Sequence, residues 1–309
     1  VGGALLLTNK KHRYLLLFYY YIGIAGFVIL GDVLARVGVS YSSAILSFGT
    51  LFSLVSLSGF WKKRHIIISW LKNCKTEKLK WILLLFVTVL STFFFSKFIY
   101  ANGLHDEYQH HAAVEDMLQT QHWPIRDEMR YGIDLSDYYH YGWYYLVILV
   151  KLVFPVSIEV ALDLVKLMLF VPIIPLFYGL IEKYLHTKWY ESLLLAVTLL
   201  VQGPALFFLD AYSGNVLFSQ GNEIIYEPLF FQLAGVTWFG IIFLIIFLVI
   251  FFHLLYKKNV LRQVVFGIFS IISLFMLNRA YFLIFIPLSL LFVIVRYKLF
   301  ALNLVYKNK

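Results

Sequence analysis

The chain has 309 residues, of which 61% are hydrophobic, 19% aromatic and 14% charged, with a formal net charge of +9 and a mean hydropathy of +0.80. Soluble domains carry about 25% charged residues and roughly half apolar ones, so the composition excludes an ordinary soluble enzyme, a disordered chain and a disulfide scaffold. Cys74, the single cysteine, can form neither an internal disulfide nor a thiolate metal site. The class that remains is a polytopic, all-α integral membrane protein.

A helix needs roughly 20 apolar residues to cross about 30 Å of hydrocarbon. In chain order, the stretches that meet or approach this are 14–34, 42–60, 81–101, 158–181, 191–209, 229–255, 264–278 and 281–296. About eight spans are therefore expected, the last two meeting at a tight turn around Asn278 and Arg279. Helix is the expectation for each, because the bilayer offers no partner for unpaired backbone groups. Runs such as Ile241–Phe252 are apolar on every face, which excludes the alternating strands of a membrane barrel. Val1–Leu7 reads as the tail of an earlier span, and the chain as a piece of a longer one. A signal peptide fits less well, since the apolar part precedes the charges.

Basic residues set the orientation. Lys10, Lys11 and Arg13 precede the first span, and the stretch 61–80 holds Lys62, Lys63, Arg64, Lys72, Lys75, Lys78 and Lys80. Further clusters are Lys183/Lys188, Lys257/Lys258/Arg262, Arg296/Lys298 and Lys307/Lys309. Placing all of these in the cytoplasm puts 19 of the 26 Lys and Arg residues inside, as the positive-inside rule expects. The basic surplus is thus a topology signal, and nucleic-acid binding has no separate support. Tyr141–Phe154 is apolar but only 14 residues long and contains Lys151. It is expected to lie at the outer surface as an interfacial helix, because a span there would turn Lys257, Lys258 and Arg262 outward.

With this topology, residues 102–140 form an outer loop holding eight of the seventeen acids and five of the nine histidines. The acids are Asp106, Glu107, Glu115, Asp116, Asp127, Glu128, Asp134 and Asp137, and the histidines are His105, His110, His111, His122 and His140. A mere connector between helices needs no such content. In helical form, Asp106 and His110 share a face, as do Glu107 and His111. A carboxylate at the water–lipid boundary can deprotonate a hydroxyl or hold a divalent cation such as Mg or Mn. The zinc-protease pattern HExxH lacks its first histidine here, and Glu107-x-x-His110 has no second copy for a di-iron site. Tyr138–Tyr145 is dense in aromatic residues, suited to the headgroup region or to stacking on sugar rings.

These features resemble the GT-C superfamily of membrane glycosyltransferases, which use polyprenyl-phosphate-linked sugars, in the manner of protein O-mannosyltransferases and aminoarabinose transferases. The resemblance rests on a span followed at once by His105-Asp106-Glu107, then a helix ending in Trp123-Pro124. It continues with Tyr138-Tyr139-His140-Tyr141-Gly142 opening an interfacial helix and Pro155-Val156-Ser157-Ile158-Glu159 leading into the next span. It covers residues 81–235, half the chain. It implies that Asp106 acts as base or metal ligand, with Glu107 next, and that a second outer loop, 210–228, carries further acids such as Asp210 and Glu223. Three spans precede the acidic loop here, where the family usually has one.

The expected organisation is an N-terminal pair of spans with a basic cytoplasmic loop (1–80), a core with outer loops 102–157 and 210–228 (81–235), and C-terminal helices (236–309). Lys166 lies three residues after Asp163 in the fourth span, so the two can pair. Charges within a membrane are costly and point to function. Arg279 sits at an outer turn, where its guanidinium matches phosphate geometry. Arg279 and Lys166 are therefore candidate ligands of the donor phosphate, and His110, His111, His140, Asp210 and Glu223 candidate contacts to substrate or metal. The expected function is sugar transfer from the lipid-linked donor to a glycan, lipid or protein acceptor, with inversion, on the outer face of a bacterial cytoplasmic membrane. The alternatives are a transporter or flippase of lipid-linked sugars, or a non-catalytic subunit of an envelope-assembly complex.

Overall fold

The structure is a computed structural model, and it describes residues 15–62, 64–65, 68, 77–102, 107–122, 126–127, 133–134, 141–202, 239–256, 260–277 and 279–307. Among the described residues the regular secondary structure is helical apart from one antiparallel ribbon of two-residue strands. The helices are α1 (Leu15–Arg36), α2 (Tyr41–Lys62), α3 (Lys78–Asn102), α4 (Glu107–Thr120), α5 (Tyr144–Val153), α6 (Ile158–Phe170), α7 (Ile173–Leu185), α8 (Trp189–Gln202), α9 (Phe239–Tyr256), α10 (Val260–Leu277) and α11 (Arg279–Lys307). The ribbon pairs β1 (Arg126–Asp127) with β2 (Ile133–Asp134). Each of the eight apolar stretches contains a helix. Among the described residues, four segments are long and apolar enough to cross a membrane, by length and composition: Tyr19–Arg36, Tyr41–Lys62, Ile158–Leu185 and Val260–Leu277. This supports an integral membrane protein.

Local chemistry explains where the helices stop. Gly38 has φ +94°, a conformation that suits glycine because a Cβ would clash there. Its N–H donates to Ala35 O at 3.0 Å while Val39 N–H donates to Leu34 O, also at 3.0 Å, the paired bonds of a Schellman ending. Ser40 then caps α2 by accepting from the Ser43 N–H at 3.3 Å.

The stretch 158–181, expected as one span, is interrupted at Val171–Pro172 into α6 and α7. Pro172 has no N–H, so the carbonyl four residues earlier, that of Met168, loses its helical donor. The Tyr20 hydroxyl supplies one, donating to Met168 O at 2.8 Å. Tyr141–Phe154, expected as an interfacial helix, forms a short helix over Tyr144–Val153, and every residue from Tyr141 to Ile148 is buried. Its apolar residues cover all sides of the helix, as in helices buried in a protein core or in a membrane.

The chain divides into two compact units woven from alternating stretches. One comprises Val1–Tyr20, Gly49–His111 and Val150–Trp238. Within it α7 packs on α8 and α3, and α3 on α6 and α8. Lys80, at the start of α3, reaches Glu182 near the end of α7 at 2.7 Å, and the Tyr178 hydroxyl donates to the same carboxylate oxygen at 3.0 Å. The two helices are therefore antiparallel, as consecutive crossings of the expected topology require. The other unit comprises Tyr21–Phe48, Ala112–Leu149 and Phe239–Lys309. Its α9, α10 and α11 pack pairwise around phenylalanines. Phe247 meets Phe266 and Phe269 with ring centroids 5.9 Å apart, and Phe251 meets Phe285 at 6.0 Å. Such offset and edge-on pairs stabilise by about 0.5–1.5 kcal/mol each beyond area burial.

Candidate functional site

The helix α4 begins at Glu107, one residue after Asp106 in the chain. His110, Ala113, Val114 and Met117 are buried and recur at the three- and four-residue spacing of one helix face. His110 thus belongs to the inward stripe of α4. His111, one position on, is partly exposed, and its Nε2 lies 2.9 Å from Glu159 Oε1. Glu107 and His111 are four residues apart within the same helix, as expected.

Glu159 stands in the first turn of α6, which Ser157 caps by accepting from the Val160 N–H at 3.4 Å. From Glu159, Asp163 and Lys166 follow at the i+4 and i+7 positions, which lie on one face of the helix. Lys166 is buried, and its Nζ is 3.7 Å from Asp163 Oδ1, the pairing expected from their spacing. A polar stripe therefore descends about 10 Å along α6, from an exposed carboxylate to a buried ammonium. Its upper end is joined through His111 to the helix that opens the acidic loop.

Asp106, His140, Asp210 and Glu223 lie outside the described residues. Arg279 is the first residue of α11, which places its backbone at the turn after α10, as expected. Among the described residues no group of three His, Cys, Asp or Glu side chains gathers as a metal site.

Sequence reasoning missed a second cluster, in the other unit. Asp32, on α1, is almost completely buried; its side chain is 9% exposed, against 48% for Arg36 one turn later. Asp32 Oδ2 accepts from Arg36 Nε at 2.8 Å. Its Oδ1 accepts from the hydroxyls of Tyr141 at 3.1 Å and Tyr145 at 3.2 Å. Arg36 Nη2 in turn donates to Tyr141 Oη at 2.9 Å, closing a ring of three residues. Burial first, then the Asp32 carboxylate beside them, pushes both phenols well above the usual tyrosine range, so they stay protonated donors. The available signal was an Asp–Arg pair four residues apart at the end of an apolar run. An acid there needs a partner, and the nearest basic residue on its helix face is Arg36.

The ends of the stretch 122–140 are both fixed within this unit. Gln121, just past α4, accepts through its backbone O from the Tyr41 N–H at 3.1 Å and through Oε1 from the Ser42 N–H at 3.0 Å. At the far end, the Gly142 N–H donates to Met276 O at 3.2 Å, three residues before Arg279. The backbone approach is close: a Cβ on Gly142 would fall 2.8 Å from Val28 Cγ1 and 3.1 Å from Met276 O. Gly31 similarly lies under the Tyr145 ring, which a Cβ would meet at 3.0 Å.

Compared with protein-family models, curated proteins and solved structures, the chain finds no match.

Proposed function

We propose that the protein is a membrane glycosyltransferase of GT-C type, with about eight spans, that moves a sugar from a polyprenyl-phosphate donor to an acceptor hydroxyl at the outer face. The observation that carries this reading is the His111–Glu159 contact at 2.9 Å, which joins the acidic loop's first helix to the polar stripe ending at Lys166. A lipid-linked substrate needs such an arrangement: polar groups for sugar and acceptor at the surface, and a cation at the depth of the phosphate. The Gly142–Met276 bond adds support, since it ties the loop's exit to the helix end preceding Arg279.

In this mechanism Asp106 takes the proton of the acceptor hydroxyl, and Glu107 lies beside it in the chain. The hydroxyl oxygen attacks the anomeric carbon from the face opposite the phosphate. As that bond forms, the bond from the anomeric carbon to the phosphate oxygen breaks, and polyprenyl phosphate leaves with the electron pair. One displacement inverts the anomeric centre. Arg279 holds the phosphate as its charge grows, and Lys166 is the second candidate cation for it. If a divalent cation takes part, Asp106 and Glu107 are the residues that would hold it and fix the sugar phosphate there. The loop acids give the acceptor its polar contacts.

The test is transfer of radiolabelled sugar from polyprenyl-phosphate donors by the full chain in proteoliposomes. Asp106→Asn is expected to abolish transfer, a loss of at least about a hundredfold for a general base, while insertion and thermal stability stay at the wild-type level. Turnover retained in that variant would overturn the assignment. Donor movement across the bilayer without transfer would support a flippase instead.

A further inference from the structure

We propose that Asp32 is a positioning residue for the outer acidic loop: together with Arg36 it clamps the loop's exit, at Tyr141 and Tyr145, to the first helix. The geometry is specific. One carboxylate receives three donors from residues 4, 109 and 113 positions away, and Arg36 bonds both the carboxylate and the Tyr141 hydroxyl. A buried carboxylate is costly unless paired and hydrogen-bonded, and Asp32 is both. Stability alone does not require such a network, because packed apolar side chains of similar volume stabilise as well or better. The distinctive property of the ion pair and its two phenols is register. Tyr145, in the first turn of α5, and Tyr141, three residues before that helix begins, reach Asp32 Oδ1 together in one setting of the segment.

Register matters because of what lies on either side. Gly142 is bonded to Met276, which leads to the Arg279 turn, and Gln121 is bonded to the first turn of α2. The stretch 122–140 is thus held at both ends, and Asp32 controls the end nearer Arg279. The role in catalysis rests on the transferase reading above, but the clamp does not.

The experiment has two arms, both with the full chain. In mild detergent, limited trypsin digestion compares cleavage after Arg126 and Arg130, between the two anchors, with cleavage among Lys62–Lys80. Local cleavage follows the population of the opened state. Asp32→Asn is expected to speed the Arg126 and Arg130 cuts about tenfold, the effect of losing a charge-assisted hydrogen bond, and to leave the Lys62–Lys80 cuts unchanged. Tyr141→Phe, which keeps the ion pair, should speed the same cuts severalfold, and it carries the test if Asp32→Asn does not fold. An equal rise at both regions, or no rise at Arg126 and Arg130, would overturn the clamp.

In proteoliposomes, Asp32→Asn is expected to lower kcat/KM for transfer about tenfold with an unshifted pH profile, since the residue moves no proton in the reaction. A shifted profile, or unchanged kcat/KM in a variant whose loop is cut faster, would overturn the positioning role. Wild-type protein without transfer activity would instead remove the transferase reading and leave the clamp to the digestion arm.

Discussion

Replacing Gly142 by alanine tests the close approach between the loop's exit and the helices beneath it. An alanine Cβ would lie 2.8 Å from Val28 Cγ1, 3.1 Å from Met276 O and 3.2 Å from Met276 Cβ. Two of these neighbours are not the ends of flexible chains: Met276 O is backbone, and Met276 Cβ is fixed to it. The segment must therefore move away by several tenths of an ångström. That stretches the Gly142 N–H bond to Met276 O, already 3.2 Å long. Overpacking of this kind costs about 1–3 kcal/mol, and loss of the bond adds roughly 1 kcal/mol. The expected destabilisation is about 2–4 kcal/mol, read as a lowered midpoint in SDS-induced unfolding in mixed micelles. Gly23→Ala is the matched control, because nothing lies within 4 Å of its Cβ position inside α1. It should stabilise by about 0.5–1 kcal/mol through helix propensity. A Gly142→Ala variant as stable as the wild type would refute the described contact.

Three further outcomes are expected. Tyr20→Phe should destabilise by about 1 kcal/mol by orphaning the Met168 carbonyl, but by far less in a Pro172→Ala background, where residue 172 has an N–H to give; a double-mutant cycle with no coupling would contradict this. A second cycle on Lys80→Ala and Glu182→Gln should give roughly 1 kcal/mol of coupling for the partly buried 2.7 Å pair, and none would mean the ends of α3 and α7 do not meet. The raised phenols of Tyr141 and Tyr145 ionise more readily in the unfolded chain. Stability from this source is therefore fully present below about pH 10 and is lost as pH rises beyond it, by up to about 1.4 kcal/mol per pH unit for each phenol. Alkaline unfolding titrations of Tyr141→Phe should show a shallower fall than the wild type.

Most of the helices were legible because apolar runs of this length have few other fates, and the turn between α10 and α11 followed from the single polar break at Asn278 and Arg279. The interruption at Val171–Pro172 was not, although Pro172 was in view, because a proline within a membrane helix often only kinks it when another group takes up the freed carbonyl. That group, Tyr20, is 148 residues away from Met168. The burial of the first half of α5 was not foreseen because length bears on whether a helix spans and says nothing about whether protein surrounds it. Of the candidate site, the Asp163–Lys166 pair and the Glu107/His111 face followed from helical spacing, whereas the link to Glu159 joins residues 48 apart and needed the fold. Asp32 escaped notice because its partners Tyr141 and Tyr145 looked like interfacial aromatics, and local spacing shows only the Arg36 half of the ring.

The most direct test of the transferase account is native mass spectrometry of the protein released from membranes in mild detergent, comparing wild type with Arg279→Ala and Asp106→Asn. The account predicts a co-purifying polyprenyl-phosphate lipid that Arg279→Ala loses and Asp106→Asn retains. The same spectrum with the lipid equally retained by Arg279→Ala, or with a different class of lipid bound in all three proteins, would contradict it.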